Sequence, residues 1–409
     1  MKFTRVFAFM ALAGMAGSAL ATNGMFSHGY GMKSKGMAGA STALHDDAFF
    51  GANNPAASAF VGNRIALGVD FFSPRRESTM GGAFGPGEVT VDSDSNYHPI
   101  PEFGYNRMMN DSLALGVTVY GNGGMNTNYP EVAGFGVNFF GEPDRLGVDL
   151  MQLIVAPTAA YKIAPNHSLG VSALIGYEVF KADGLGGPTS EHDDAWGFGV
   201  RVGYMGKITP TVTVGAAYAS KVDFKELDKY NWLFLDQGDL DLAENYNLGV
   251  AWQATPALKL ALDYQRINYT GVDSIGKSAN DGGFGWDDMN VWKLGMEYKY
   301  SPKMTLRAGY SHTDSPIEGA SLADCMAGSE NCGEVTLNIL APGVIEDHVT
   351  LGFTYTLASG NELTMAYMHG FEKEVSGQGF APGDTPTPRG IDTIRMYQNS
   401  IGIQYSWKM

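Results

Sequence analysis

Two short groupings in this chain bring together residue types that perform covalent chemistry. His192-Asp193-Asp194 and His312-Thr313-Asp314-Ser315 set imidazole beside carboxylate, and the second adds a hydroxyl. A hydrolytic triad is an arrangement in space, however, and adjacency along the chain does not build one. No Gly-x-Ser-x-Gly elbow occurs to present a nucleophilic serine. We therefore expect no catalytic residues and a protein that is not an enzyme, with a lipase-like hydrolase as an alternative. Cys325 and Cys332 are the only cysteines. In an oxidising compartment they read as a small disulfide loop, and two ligands are too few for a structural zinc site. No metal and no cofactor are expected.

The elements that must position any site follow from composition and periodicity. The chain has 409 residues, 54 glycines, 12% aromatic and only 17% charged residues. So many glycines would weaken a helical protein, and the aromatic content excludes a disordered one. A formal charge of −16 argues against nucleic acid, whose phosphates call for clustered Lys and Arg. Residues 1–21 read as a secretory signal: Lys2 and Arg5, a short apolar core, then Ala19-Leu20-Ala21. No later apolar run is long enough for a membrane-spanning helix, so membrane insertion would have to use strands.

From Asn63 onward, apolar and small or polar residues alternate. Trp196, Phe198, Val200 and Val202 alternate with Gly197, Gly199, Arg201 and Gly203; Ile401, Ile403, Tyr405 and Trp407 alternate with Gly402, Gln404 and Ser406. Segments of about ten such residues are long enough to cross a bilayer as tilted strands. Tight turns are expected at Asn110-Asp111, Pro165-Asn166, Thr209-Pro210, Thr255-Pro256, Ser301-Pro302 and Ser359-Gly360. Long loops are expected near 74–98, 122–150, 183–194, 223–240, 270–288, 314–345 and 374–392. The expectation is an all-β, transmembrane antiparallel β-barrel of about 14 strands, spanning residues 62–409. In the 223–240 loop, Tyr230, Trp232, Leu233 and Phe234 form an apolar patch, either packed on neighbouring loops or open to a ligand.

Residues 22–61 break the alternation. Gly29, Gly31, Gly36 and Gly39 lead into Asp46-Asp47, Phe49-Phe50 and Asn54-Pro55-Ala56. Glycine allows close packing and positive φ, and Asn-Pro forces a turn. Such a segment is expected to be a compact hatch, or plug, inside the barrel lumen.

With that hatch pattern, the chain resembles the FadL-type (FadL/TodX) family of outer-membrane transporters of long-chain fatty acids and other hydrophobic compounds. The likeness extends through Pro101–Tyr105, Tyr161-Lys162, Leu294-Gly295-Met296-Glu297-Tyr298 and Leu306-Arg307-Ala308-Gly309-Tyr310. It departs at the end, where Lys408 and Met409 follow Trp407 instead of a terminal aromatic. The resemblance implies passive uptake in the outer membrane of a Gram-negative bacterium. Ligand would enter by an apolar groove among the outer loops (Tyr230, Trp232, Leu233, Phe234) and pass to a pocket beside the hatch. It would leave sideways at a kink in strand three, near Gly121 and Gly123. Met25, Phe26, Phe49, Phe50 and Asn54 are candidates along the path; Gly36, Asp46, Asp47 and Pro55 shape the hatch. For a ligand carboxylate, Arg201, Lys293 and Arg307 are the candidate cations, unless they belong to an ion-pair network with Glu178, Asp263 and Glu297. The partners implied are a fatty acid or a hydrocarbon, and outer-membrane lipid with lipopolysaccharide. A closed barrel needs no second copy to satisfy its edges, so a monomer is expected. Alternatives are a transporter of aromatic hydrocarbons or alkanes, and a general porin.

Overall fold

In the computed structural model, residues 23–82, 87–132, 135, 145–381 and 387–409 are described. The signal sequence and the loop phenylalanines Phe139 and Phe140 lie outside them. Fourteen long strands form the wall, numbered here in chain order. They are β1 (Arg64–Met80), β2 (His98–Met108), β3 (Leu113–Asn126), β4 (Gly147–Ala164), β5 (His167–Asp183), β6 (Asp193–Lys207) and β7 (Val212–Ala219), followed by β8 (Asn245–Gln253), β9 (Leu258–Ile267), β10 (Met289–Ser301), β11 (Met304–Thr313), β12 (Asp347–Thr356), β13 (Glu362–Ala381) and β14 (Thr387–Lys408). Each pairs antiparallel with its neighbour, and β14 returns to β1, from Lys408 opposite Arg64 to Thr393 opposite Thr79. The result is a closed antiparallel β-barrel in which every strand has two neighbours, the arrangement that the hydrocarbon of a membrane requires. Short segments Val89–Asp92 and Asp223–Phe224 add to β1 and β6 outside this ring.

Alternation sorts the side chains as the sequence implies. Phe198, Leu248, Leu351 and Ile401 remain exposed on the outside, while Arg201, Asp263, Lys293 and Gln404 are buried inside. Outward aromatics pair at strand ends, Tyr264 with Trp292 at 4.9 Å and Tyr405 with Trp407 at 4.6 Å, the placement of interfacial girdles. Among the described residues no helix is long and apolar enough to cross a membrane. The six tight turns fall where the sequence placed them, all at one end, where Met409 also donates to the Asn63 carbonyl.

Strand length is where the structure departs from the sequence expectation. Strands vary from 8 residues in β7 to 22 in β14. The stretches 74–98 and 374–392, expected as loops, are largely hairpin: β1 runs to Met80, β13 to Ala381 and β14 starts at Thr387. There the outward positions carry charge instead of apolar residues. Arg395 pairs with Glu77 at 3.2 Å and Glu374 at 3.1 Å across the ladder. The apolar pattern marks where lipid would end, whereas the backbone ladder continues beyond it.

Candidate functional site

Residues 23–61 pack against inward-facing side chains of the wall. The segment has three single-turn helices, Met32–Lys35, Phe50–Asn53 and Ser58–Val61, with a 3-10 turn at Pro55–Ala57. Nothing in so short a helix is stable alone; the wall holds it. Gly31 (φ 80°) and Gly39 (φ 85°) take the left-handed conformations that let the chain fold back on itself.

The wall meets this segment with polar side chains on nearly every side. Lys35 reaches Asp70 on β1 at 2.6 Å and Glu102 on β2 at 3.0 Å. Lys33 reaches Glu362 on β13 at 2.8 Å. Asp263 on β9 accepts the Ser41 and Thr42 amides, both at 2.8 Å. Gln404 on β14 accepts the Met32 amide and donates to Asp47. Wall glycines provide the room. A Cβ on Gly170 would lie 2.4 Å from the Ala56 nitrogen, and Gly352 lies against Gly36. A side chain in such places would collide with backbone.

The residues singled out in sequence separate into distinct places. Met25 and Phe26 sit under the long loops, where the Met25 amide donates to the Tyr269 hydroxyl at 2.8 Å. Phe49 packs with Ala48 and Ala66, and Phe50 with Met37, Leu44 and Met205, so neither joins that group. Asn54 is fully buried: its Nδ2 donates to the Thr42 and Tyr204 carbonyls, both at 2.9 Å, and its Oδ1 caps Ala56. Pro55 starts the 3-10 turn, Asp47 accepts the Phe49 amide, and half-buried Asp46 lies 3.6 Å from Lys33.

The three candidate cations also divide. Arg307 belongs to a network: it forks onto Glu297 at 2.7 and 3.1 Å, and Lys259 joins the same carboxylate. Arg201 and Lys293 instead line one cavity with Phe26, Tyr30, Thr42, Asn53 and Gln265. Lys293 donates to Gln265 at 2.8 Å and to the His28 carbonyl, while Arg201 donates to the Ala52 carbonyl and the Tyr120 hydroxyl. Among the described residues neither has a carboxylate within ion-pair distance. Asp263, across the ladder from Lys293, accepts the Ser41 and Thr42 amides through Oδ2 and has no hydrogen-bond partner on Oδ1, and Glu178 accepts from Gln152 through Oε2. The cavity volume is about 10 Å³, room for a single water.

Beside this cavity the wall is incomplete. β2 pairs with β1 from Asn106 to His98, but with β3 only from Met108 to Phe103. Among the described residues no ladder pair joins 98–102 to 120–126. On its other side β3 carries a bulge against β4: Gly121 faces Leu153 and Gly124 faces Met151, leaving one extra residue on β3. Within the bulge Asn122 accepts a hydrogen bond from the Tyr30 hydroxyl, and the Tyr30 and Tyr120 rings lie 4.3 Å apart. Arg201 thus bridges the lumenal segment and the bulged strand.

In the 223–240 loop, Tyr230 and Phe234 are buried against Phe180, at 4.7 and 4.9 Å. Trp232 and Leu233 stay half exposed. Cys325 and Cys332 are joined, with Cα atoms 5.4 Å apart. In the same loop Glu334 is buried, accepts the Glu318 amide, and has its carboxyl pushed up to about 8 by desolvation.

Sequence reasoning missed Lys33, Lys35, Asp70, Glu102, Glu362, Gln404 and Tyr30. One signal was available: Asp70, Glu102 and Glu362 occupy the inward phase of strands whose outward phase is apolar, where an ionisable group needs a partner.

The fold resembles solved outer-membrane channels. The toluene transporter TodX of P. putida matches with a TM-score of 0.67 at 17% identity over 93% of this chain and 99% of that one. A FadL homologue of Pseudomonas aeruginosa matches at 0.68, 17%, 93% and 99%, and the Ralstonia pickettii toluene transporter TbuX at 0.62, 17%, 93% and 99%. No curated protein sequence matches the chain. The family model described as outer membrane protein transport protein (OMPP1/FadL/TodX) matches residues 12–184 and 179–323. With a closed 14-stranded barrel and most of its length matched by that model, the chain belongs to the OMPP1/FadL/TodX family of outer-membrane transport proteins.

Proposed function

We propose that this protein is a passive outer-membrane channel for hydrophobic molecules that end in a carboxylate, long-chain fatty acids above all. Residues 1–21 are the removable signal, 22–61 the hatch and 62–409 the barrel. Ligand enters among the long loops, passes Met25, Phe26 and Tyr30, and reaches the cavity at Arg201 and Lys293. It leaves toward the lipid between β2 and β3, where the ladder stops. The hatch must shift for this, because a cavity with room for one water does not hold an acyl chain.

The observation that carries this reading is the pair of buried cations facing one cavity without a carboxylate partner. A charge-assisted hydrogen bond contributes about 1.5–3 kcal/mol, enough for each to change carboxylate binding by roughly tenfold or more. The aromatic lining by Phe26 and Tyr30 favours a second reading, a small aromatic hydrocarbon as the ligand. Oleate and toluene uptake in cells lacking their own transporter separates the two. Arg201→Ala and Lys293→Ala are expected to cut oleate uptake and spare toluene. Toluene uptake with oleate flux indifferent to both changes would favour the hydrocarbon reading. Uptake of neither, beside a large ion conductance, would leave a porin.

A further inference from the structure

A second cavity lies at the tight-turn end of the barrel, between the plug and the wall. Its volume is about 540 Å³, the size of a small-molecule site. His45 and Asp46 of the plug line one side; Lys207 on β6, Thr213 on β7, Gln253 on β8 and Lys259 on β9 line the other. The exposed turn Thr209-Pro210 also lines it, so it opens toward the compartment that the short turns face, the periplasm in barrels of this kind.

Charge around this cavity does not balance. Asp46 lies 3.6 Å from Lys33, and Lys259 lies 3.1 Å from Glu297. Those groups are spent on each other. Lys207 is not: among the described residues no carboxylate lies within ion-pair distance of it, nor of Lys162 on β4. Both ammonium groups sit over one ring, that of Phe60 in the last helical turn of the plug, Lys207 at 4.5 Å and Lys162 at 5.4 Å from its centre. The His45 ring lies 5.7 Å from the same ring. An aromatic face attracts a cation but carries no countercharge. Two like charges gathered on it therefore favour an anion of more than one charge beside them. Neutral donors are at hand as well, because among the described residues the Thr213 hydroxyl and the Asn166 side-chain amide make no hydrogen bond.

We propose that this cavity binds an organic phosphate monoester from the periplasm, and that the bound anion holds the plug against the wall. A phosphate monoester carries close to two charges at neutral pH and offers three strong acceptor oxygens. Lysine binds such a group as a point charge. Lys207 meets it inside the cavity, and Lys162 adds its field from across the Phe60 ring. A bare phosphate would leave most of the volume empty, and the organic part of the ester occupies the rest, toward Gln253 and Lys259. One side of the site belongs to the plug and the other to the wall, so the anion binds only the seated arrangement and stabilises it by mass action. Its consequence for transport rests on the reading above that the plug must shift; the binding itself does not.

The test is calorimetric titration of purified full-length protein in detergent with glycerol 3-phosphate, with glycerol and inorganic phosphate as comparisons and the gel mobility of the unboiled barrel as the check on folding. Lys207→Gln is expected to weaken glycerol 3-phosphate binding by about tenfold or more, and Lys207→Arg to keep most of it. Lys162→Gln should cause a smaller loss, and Lys303→Gln, on an exposed turn elsewhere at the same end, none. With the ester at a hundred times its Kd, hydrogen exchange at residues 43–46 that proceeds through release of the plug should slow by about a hundredfold. Absence of glycerol 3-phosphate binding would overturn the site, and so would an equal loss with Lys303→Gln, which would make the attraction a diffuse surface charge. Inorganic phosphate binding as tightly as the ester would overturn the choice of ligand. Binding that leaves exchange at 43–46 unchanged would overturn the hold on the plug. None of these readouts involves oleate, so failure of the fatty-acid reading in the uptake experiment is told apart from failure here.

Discussion

Replacing Lys35 with methionine should loosen the lumenal plug without unfolding the barrel. The ammonium lies 2.6 Å from Asp70 and 3.0 Å from Glu102, and all three side chains are 2% exposed. Methionine keeps much of the volume but leaves two carboxylates buried beside each other. Removing one member of such a group costs about 3–5 kcal/mol, or about two to four powers of ten in the ratio of seated to displaced plug. The wall is lightly affected, because the β1 and β2 ladder does not depend on the lysine. In planar bilayers the Lys35→Met protein should open to ions far more often than the intact one. Adding Asp70→Asn and Glu102→Gln removes the stranded charges, and a buried amide costs less than an unpaired buried carboxylate. The triple variant should therefore return toward the closed behaviour of the intact protein. The reasoning fails if Lys35→Met stays as closed as the intact protein, or if the triple variant leaks as much as the single one.

Two other outcomes follow from the same geometry. Gly170→Val would place a Cβ 2.4 Å from the Pro55 and Ala56 backbone, which cannot retreat as a flexible side chain could. Ion conductance should rise while the unboiled barrel keeps its folded mobility on gels. Glu334 titrates near 8 in the folded loop because burial disfavours its charge, against about 4.3 in an unfolded chain. The folded loop therefore holds the extra proton between those values, and its docking should weaken as pH rises through that window and level off above it. Protection from hydrogen exchange at Glu334–Asn338, taken relative to the intrinsic exchange rate at each pH, should fall accordingly, and Glu334→Gln should remove that fall.

How much was legible in advance can be argued from particular strands. Trp196, Phe198, Val200 and Val202 against Arg201 fixed which side of β6 meets lipid, since one step of register would exchange every side chain. Turn chemistry at Thr209-Pro210 and Ser359-Gly360 fixed where the chain reverses. The same apolar criterion was blind above the lipid, where Arg395 and Glu77 continue the ladder with charges. It was blind also to the Tyr230 patch, because an apolar loop residue reads the same in sequence whether it packs on Phe180 or faces a ligand.

Sequence by itself determined the architecture: period-two alternation, six tight turns and an N-terminal stretch too glycine-rich and irregular to be a strand. These are local properties, set by the pleat and by turn conformations. Which cations are spent and which are available was decided only by tertiary structure. Arg307, Lys293, Arg201 and Arg76 all occupy inward positions, and nothing in their spacing distinguishes them. Arg307 meets Glu297 because β10 and β11 are neighbours in register. Arg201 and Lys293 share a cavity because the plug comes between strands far apart in the chain, and Arg76 faces Met396 because β14 closes onto β1. Partnership inside a barrel depends on closure and on what fills the lumen, and both are long-range.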